Sequence, residues 1–235
     1  MTPLAILTLG LLLGLKHAFD SDHLIAVSTI VAREQSPWRA LWIGLFWGVG
    51  HTLMLALVGV LVLGMNIQIP ETIGLSLECL VGIVLVGLGV STLHDCWKKR
   101  LHAHRHVHEG SAHTHFHTHA HGAAHQHKHA LRVGVKPILL GMVHGLAGSA
   151  ALMVLVMAAI PSMTLGLLYV GIFGFGSVLG MGIVSVLMGL CFSLATDKLS
   201  AVDHSIRVTV GALSTAFGGW MVVEIGFIQG LFFTS

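Results

Sequence analysis

The sequence predicts an all-α polytopic membrane protein: six transmembrane helices forming two inverted three-helix repeats. Three observations lead to that expectation: six long apolar stretches, basic residues gathered on one side, and a self-match between the halves. Of the 235 residues, 54% are hydrophobic and only 9% charged, whereas a soluble domain carries about a quarter charged residues. A membrane-spanning helix needs about 20 mostly apolar residues in a row. Stretches near 3–32, 40–64, 73–95, 135–160, 164–193 and 208–233 meet that length.

The first stretch begins like the apolar core of a signal peptide over Leu4–Leu15. No basic segment precedes it, and Lys16-His17 with two aspartates follows in place of a cleavage site. A retained span is therefore expected. Cys79, Cys96 and Cys191 are scattered and form no C-x-x-C pair. They read as small packing residues rather than as a disulfide framework or a thiolate metal site.

Eleven of the twelve basic residues lie in or beside the first, third and fifth connections; Lys16 is the exception. Positive charge accumulates on the cytoplasmic side. In a bacterial inner membrane this puts both termini outside and the third connection in the cytoplasm. Residues 1–97 then form the first repeat, 98–134 a cytoplasmic loop and 135–235 the second repeat. At an offset of 127, Gly14-Leu-Lys-His17-Ala-Phe matches Gly141-Met-Val-His144-Gly-Leu. Leu41-Trp-Ile-Gly44-Leu-Phe46 likewise matches Leu168-Tyr-Val-Gly171-Ile-Phe173. Three helices per half make the second half cross in the opposite sense, and inverted repeats hold transporter substrate sites near mid-membrane.

The chemistry is concentrated in Lys16-His17-Ala18-Phe19-Asp20-Ser21-Asp22-His23, flanked by Leu4–Leu15 and Leu24–Val31. One Asp or Lys at a membrane helix centre costs roughly 2.5–3.5 kcal/mol. Three together cost on the order of 8–10 kcal/mol, comparable to a whole domain's stability. A polar turn between two re-entrant segments is the bland alternative, and it would still line a wet cavity. Intramembrane ionisable residues are functional candidates by default.

On an ideal helix Lys16, His17, Asp20 and His23 share one arc, Lys16 and Asp20 can pair, and Asp22 points away. Residues 3–32 would also run about 46 Å as one helix, across a core of about 30 Å. A kinked or unwound segment after Gly14 is expected, of the kind that builds ion sites in transporters. Imidazole combined with carboxylate suits Ni, Co, Zn and Cu rather than Mg or Ca.

His17-x4-Asp22-His23, in full Lys-His-Ala-Phe-Asp-Ser-Asp-His-Leu, resembles the signature of the nickel/cobalt transporter family (NiCoT, NicO-type). Gly50-His51-Thr52 is similar to that family's Gly-His-Ser/Thr segment in the next helix. His144-Gly-Leu-Ala-Gly148-Ser149 resembles its shorter, six-helix, urease-accessory-type nickel permease branch. The resemblance implies a metal site of His17, Asp22, His23 and His51. Asp20 and His144 are further ligand candidates, with Lys16 and Ser149 in support. It also implies divalent nickel or cobalt as substrate, no permanently bound cofactor, no nucleic acid, and a cytoplasmic nickel acceptor for urease or hydrogenase. Residues 173–181 carry no acid where the family's eight-helix members have an acidic motif.

Twelve of the eighteen histidines fall in the third connection: His102, His104, His106, His108, His113, His115, His117, His119, His121, His125, His127 and His129. Neutral imidazoles in such a tract bind Ni, Co, Cu and Zn. The tract has too few apolar residues to order itself, so an accessory, disordered metal-binding loop is expected. The H-x4-D-H form implies uptake; efflux through a permease using the His-rich loop is the competing reading. No enzyme is expected, because H-E-x-x-H, G-x-S-x-G and paired His boxes are all missing. Without a Walker A motif, this chain does not itself use ATP.

Overall fold

The computed structural model describes residues 2–34, 36–65, 70–100, 105–108, 111–114, 130–147, 160, 162–196 and 200–233. Helix α1 (Pro3–His17) starts on a proline, whose missing N–H forfeits nothing in a first turn, and Thr2 Oγ1 accepts from the Ala5 N–H at 3.3 Å. The chain then breaks. Phe19 and Asp20 donate to the carbonyls of Lys16 and His17 at 2.9 and 3.1 Å, closing tight turns. Asp20 turns extended (φ −65°, ψ 146°), and α2 (Ser21–Val31) leaves at 52° to α1. The kink expected after Gly14 lies at residues 18–20, just beyond His17.

Four long helices follow in pairs around a short one. They are α3 (Pro37–Met65) and α4 (Glu71–Arg100), then α5 (Ala130–Leu146), then α6 (Met163–Thr196) and α7 (Ser200–Val223). The last runs into a π-helical turn, Glu224–Ile228. Pro37–Val62, Glu71–Lys98, Met163–Ala195 and Val202–Ile228 are each long and apolar enough to cross a membrane, and the bent pair α1–α2 counts as a fifth span if taken together. The expected span 135–160 is described as the apolar helix Gly134–Leu146, at Ala147 and at Ile160; the rest of it lies outside the described residues.

Two boundaries depart from expectation. The last helix begins at Ser200, not near 208, because Asp203 and Arg207 pair at i, i+4 (2.9 Å) and so sit comfortably on a helix. The loop 98–134 was expected to be disordered, yet α4 runs to Arg100 and α5 starts at Ala130. Between them lies an antiparallel hairpin of β1 (Arg105–His108) and β2 (Ser111–Thr114), with His106 opposite His113. Alternating residues have the period of a strand, so these eight residues depart from an all-α chain.

Helices α3 and α6 lie against each other; α1 packs along α6, α5 along α3, and α4 along α7. Glycines let the backbones approach closely. A Cβ on Gly14 would strike the Phe173 carbonyl, and one on Gly141 the Trp47 carbonyl. Gly176 meets the Leu11 carbonyl in the same way, and Gly50 that of Ile138. Adding 127 to the α1 residues and subtracting 126 from the α6 residues turns one set of contacts into the other, so Phe173 answers in packing to Trp47 and not to Phe46, one residue off the match read from the sequence.

Trp47 is fully buried at the centre, in a core that includes Ala26, Val27, Val31, Ile43, Val81, Leu85 and Met181. The outer faces are apolar too. Leu53, Leu57 and Leu61 of α3, Ile83 and Val90 of α4, and Phe175, Ile183 and Leu187 of α6 are all exposed. Apolar surface this extensive on several long helices needs lipid rather than water. This is a membrane protein.

Candidate metal centre

The break between α1 and α2 gathers histidines that one straight helix would hold apart. His17 ends α1, and His23 stands in the first turn of α2. Their rings come within 4.6 Å, centroid to centroid. His51 joins them from α3, 5.0 Å from His17 and 5.2 Å from His23. Taking one ring nitrogen from each, all three lie within 4.8 Å of one another, a spacing able to hold a metal ion. His144 enters from α5, its ring 5.5 Å from that of His23, and lies outside the trio. His23, His51 and His144 are buried.

The partners of these rings decide which nitrogen faces inward. Carboxylates and carbonyls only accept, so each imidazole nitrogen beside one must donate. His17 Nδ1 donates to Asp20 Oδ2 at 2.8 Å, and His23 Nδ1 to Asp22 Oδ1 at 3.1 Å. His144 Nδ1 donates to the Leu140 carbonyl at 3.1 Å. In neutral rings this leaves the lone pair of each on Nε2, the arrangement by which outer-shell acceptors orient metal-binding histidines. His17 Nε2 accepts from His51 Nε2 at 3.1 Å, while His23 Nε2, His51 Nδ1 and His144 Nε2 are buried with no hydrogen-bond partner. Buried polar atoms are normally satisfied. Three unpartnered imidazole nitrogens in one place point to a ligand.

The expected residues therefore fall into separate groups. His17, His23 and His51 come together. Asp22 stands behind His23 and Asp20 behind His17, each bonded to a ring rather than joining the trio. Asp20 takes His17 as its partner and not Lys16, which is exposed. That bond also explains why Asp20, the N-cap residue of α2, makes no side-chain capping bond. His106, His108 and His113 fall on the hairpin strands. Ser149 and the remaining loop histidines lie outside the described residues.

The surroundings are mostly apolar and aromatic. Trp47 lies 4.8 Å from His144, and Phe173 lies 5.6 Å from His17. Two hydroxyls tie the helices on either side: Thr52 Oγ1 donates to the Gly174 carbonyl at 3.1 Å, and Ser177 Oγ to that of Gly14 at 3.3 Å. One acid escaped the sequence reading. Glu78 sits part-buried on α4, near enough to Asp22 for their charges to repel. Its signal was available, since it is a carboxylate inside the apolar stretch 73–95.

No family model and no solved structure matches the chain. Two proteins of Arabidopsis thaliana, chloroplast proteins FOR GROWTH AND FERTILITY 1 and 2, are 22% and 23% identical over 92% of this chain, which spans 58% and 55% of their length. Urease accessory protein UreH of Bacillus sp. (strain TB-90) is 40% identical over 229 residues, covering 97% of this chain and 95% of the relative. That relative is an accessory protein, and the kinship makes this chain a non-enzyme. With such identity along nearly the whole of both chains, the protein belongs to the family of the urease accessory protein UreH.

Proposed function

We propose that the protein is a permease that carries divalent nickel or cobalt, as substrate, into the cytoplasm across a bacterial inner membrane. The observation that carries this reading is the His17–His23–His51 trio at the break of an apolar helix. Neutral imidazole favours borderline transition metals over Mg or Ca. Kinship to a urease accessory protein favours nickel and a cytoplasmic acceptor that serves urease.

In this reading the ion sheds water to bind His17, His23 and His51, while Asp20 and Asp22 hold two of the rings in register. The membrane architecture is six spans in two inverted repeats. Support comes from the exchange of the Gly14–Phe173 and Gly141–Trp47 approaches between the halves. The basic connections face the cytoplasm, and both termini face outward. Each charge gains about 2.3 kcal/mol per 100 mV, so a divalent cation gains about 4.6 kcal/mol. That supports roughly 10³-fold accumulation without a coupled ion. Efflux is the second reading, favoured by a His-rich segment that sets His106 opposite His113.

Radioactive nickel flux in vesicles of known orientation tests both. Uptake requires nickel to enter right-side-out vesicles under an inside-negative potential and to stop with His17→Ala. Flux only in the opposite sense selects the efflux reading. Flux in neither sense, from protein that is folded in the membrane, removes the permease assignment.

A further inference from the structure

The trio comes from the first half of the chain alone, yet one more imidazole from the second half points to the same place. His144 is buried, its Nδ1 is tied to the Leu140 carbonyl, and its Nε2 has no partner. Its ring stands 5.5 Å from that of His23, little more than the 4.6–5.2 Å between rings within the trio. It still falls outside the set whose nitrogens lie within 4.8 Å of one another. The ring is thus oriented as a ligand but held slightly too far away.

We propose that His144 is a fourth metal ligand, supplied by the second half, and that the ion draws it onto the trio through its place beside His23. This rests on the trio being the metal site. Four imidazole nitrogens from α1, α2, α3 and α5 then surround one ion, and binding becomes a contact between the two halves. The elements are suited to such a shift. Gly141 and Gly145 of α5 lie directly against the α3 backbone at Trp47 and His51, with no side chain between them. A small sliding of α5 on α3 therefore changes the reach of His144 without unpacking a core. Close-packed small residues are what permits such approach between membrane helices. A ligand that binds one arrangement better than another shifts the population toward it. Closure of α5 on the ion is then the step that links occupancy to rearrangement of the halves.

The test uses Co2+ as the probe on the full chain in detergent, with His144→Cys. A thiolate bound to Co2+ gives an intense near-ultraviolet charge-transfer band that imidazole ligands do not give, so the loop histidines do not interfere. The unsubstituted chain, which retains Cys79, Cys96 and Cys191, supplies the baseline. The expected result is a new band at one equivalent of Co2+ that disappears when His23→Ala is added. If no band forms while the visible cobalt spectrum still depends on His17, then His144 is not a ligand. The proposal is then overturned and the trio stands. If the visible spectrum is indifferent to His17→Ala, the metal site itself falls, and this inference with it. A band that survives His23→Ala also overturns the proposal, because residue 144 would then bind cobalt away from the trio.

Discussion

The two halves of the molecule exchange matching interhelical approaches and differ in chemistry. Gly14 approaches Phe173 as Gly141 approaches Trp47, and Leu11 meets Gly176 as Ile138 meets Gly50. At the equivalent positions the polar groups diverge. His17 corresponds to His144, but Asp20 and His23 correspond to Ala147 and Ala150. His51, next to Gly50, corresponds in packing to Ser177, next to Gly176. Ser177 Oγ donates to the Gly14 carbonyl and so spends its hydrogen bond on holding α6 to α1. One half concentrates the clustered imidazoles and the carboxylates bonded to them, and at the equivalent positions the other keeps one ring and small residues. Matching packing with unlike donors is what the proposed single ion site requires, since packing needs only shape to repeat whereas coordination needs particular donor atoms.

The largest expected effect comes from removing the chemistry of the first half. His23→Ala should reduce nickel flux to background while the protein remains in the membrane fraction, because it deletes the ring that neighbours both His17 and His144. Retained flux would place the site elsewhere. Asp22→Asn is expected to be milder. It keeps an acceptor for His23 Nδ1 but loses the charge, and outer-shell changes cost about 10–100-fold in metal affinity. Equilibrium metal binding across a pH series measures this.

The second half offers the contrast. Ser177→Ala removes one interhelical hydrogen bond, worth about 0.6 kcal/mol in a membrane protein, and no ligand. Thermal stability in detergent should drop slightly and metal affinity should stay unchanged; a metal-binding defect would bring Ser177 itself into the metal site. Smallest is the effect of deleting residues 102–129. At saturating nickel, flux should match the full chain, because the trio lies in the helices and not in the loop. Retention at trace nickel is where a difference is expected. Loss of flux at both concentrations would make the loop part of the conduction path.

The sequence by itself determined five of the six expected apolar spans, counting the bent pair as one, with the place of the polar string and the need for a break in the first span. Each follows from local quantities: run length, the cost of charge in lipid, and a helix too long for the bilayer. It also singled out His17, His23, His51 and His144 by residue type and neighbourhood. Only the tertiary structure decided which atoms face one another. The turn at residues 18–20 re-aims α2, and so Asp22 lies behind His23 rather than across the helix from it. The same turn hands Asp20 to His17 in place of Lys16. His51 reaches the cluster from a helix 34 residues further along than His17, a meeting set by how α3, α5 and α6 pack. Helical periodicity carries no information across a break or between helices, whereas backbone contact at the glycines fixes both.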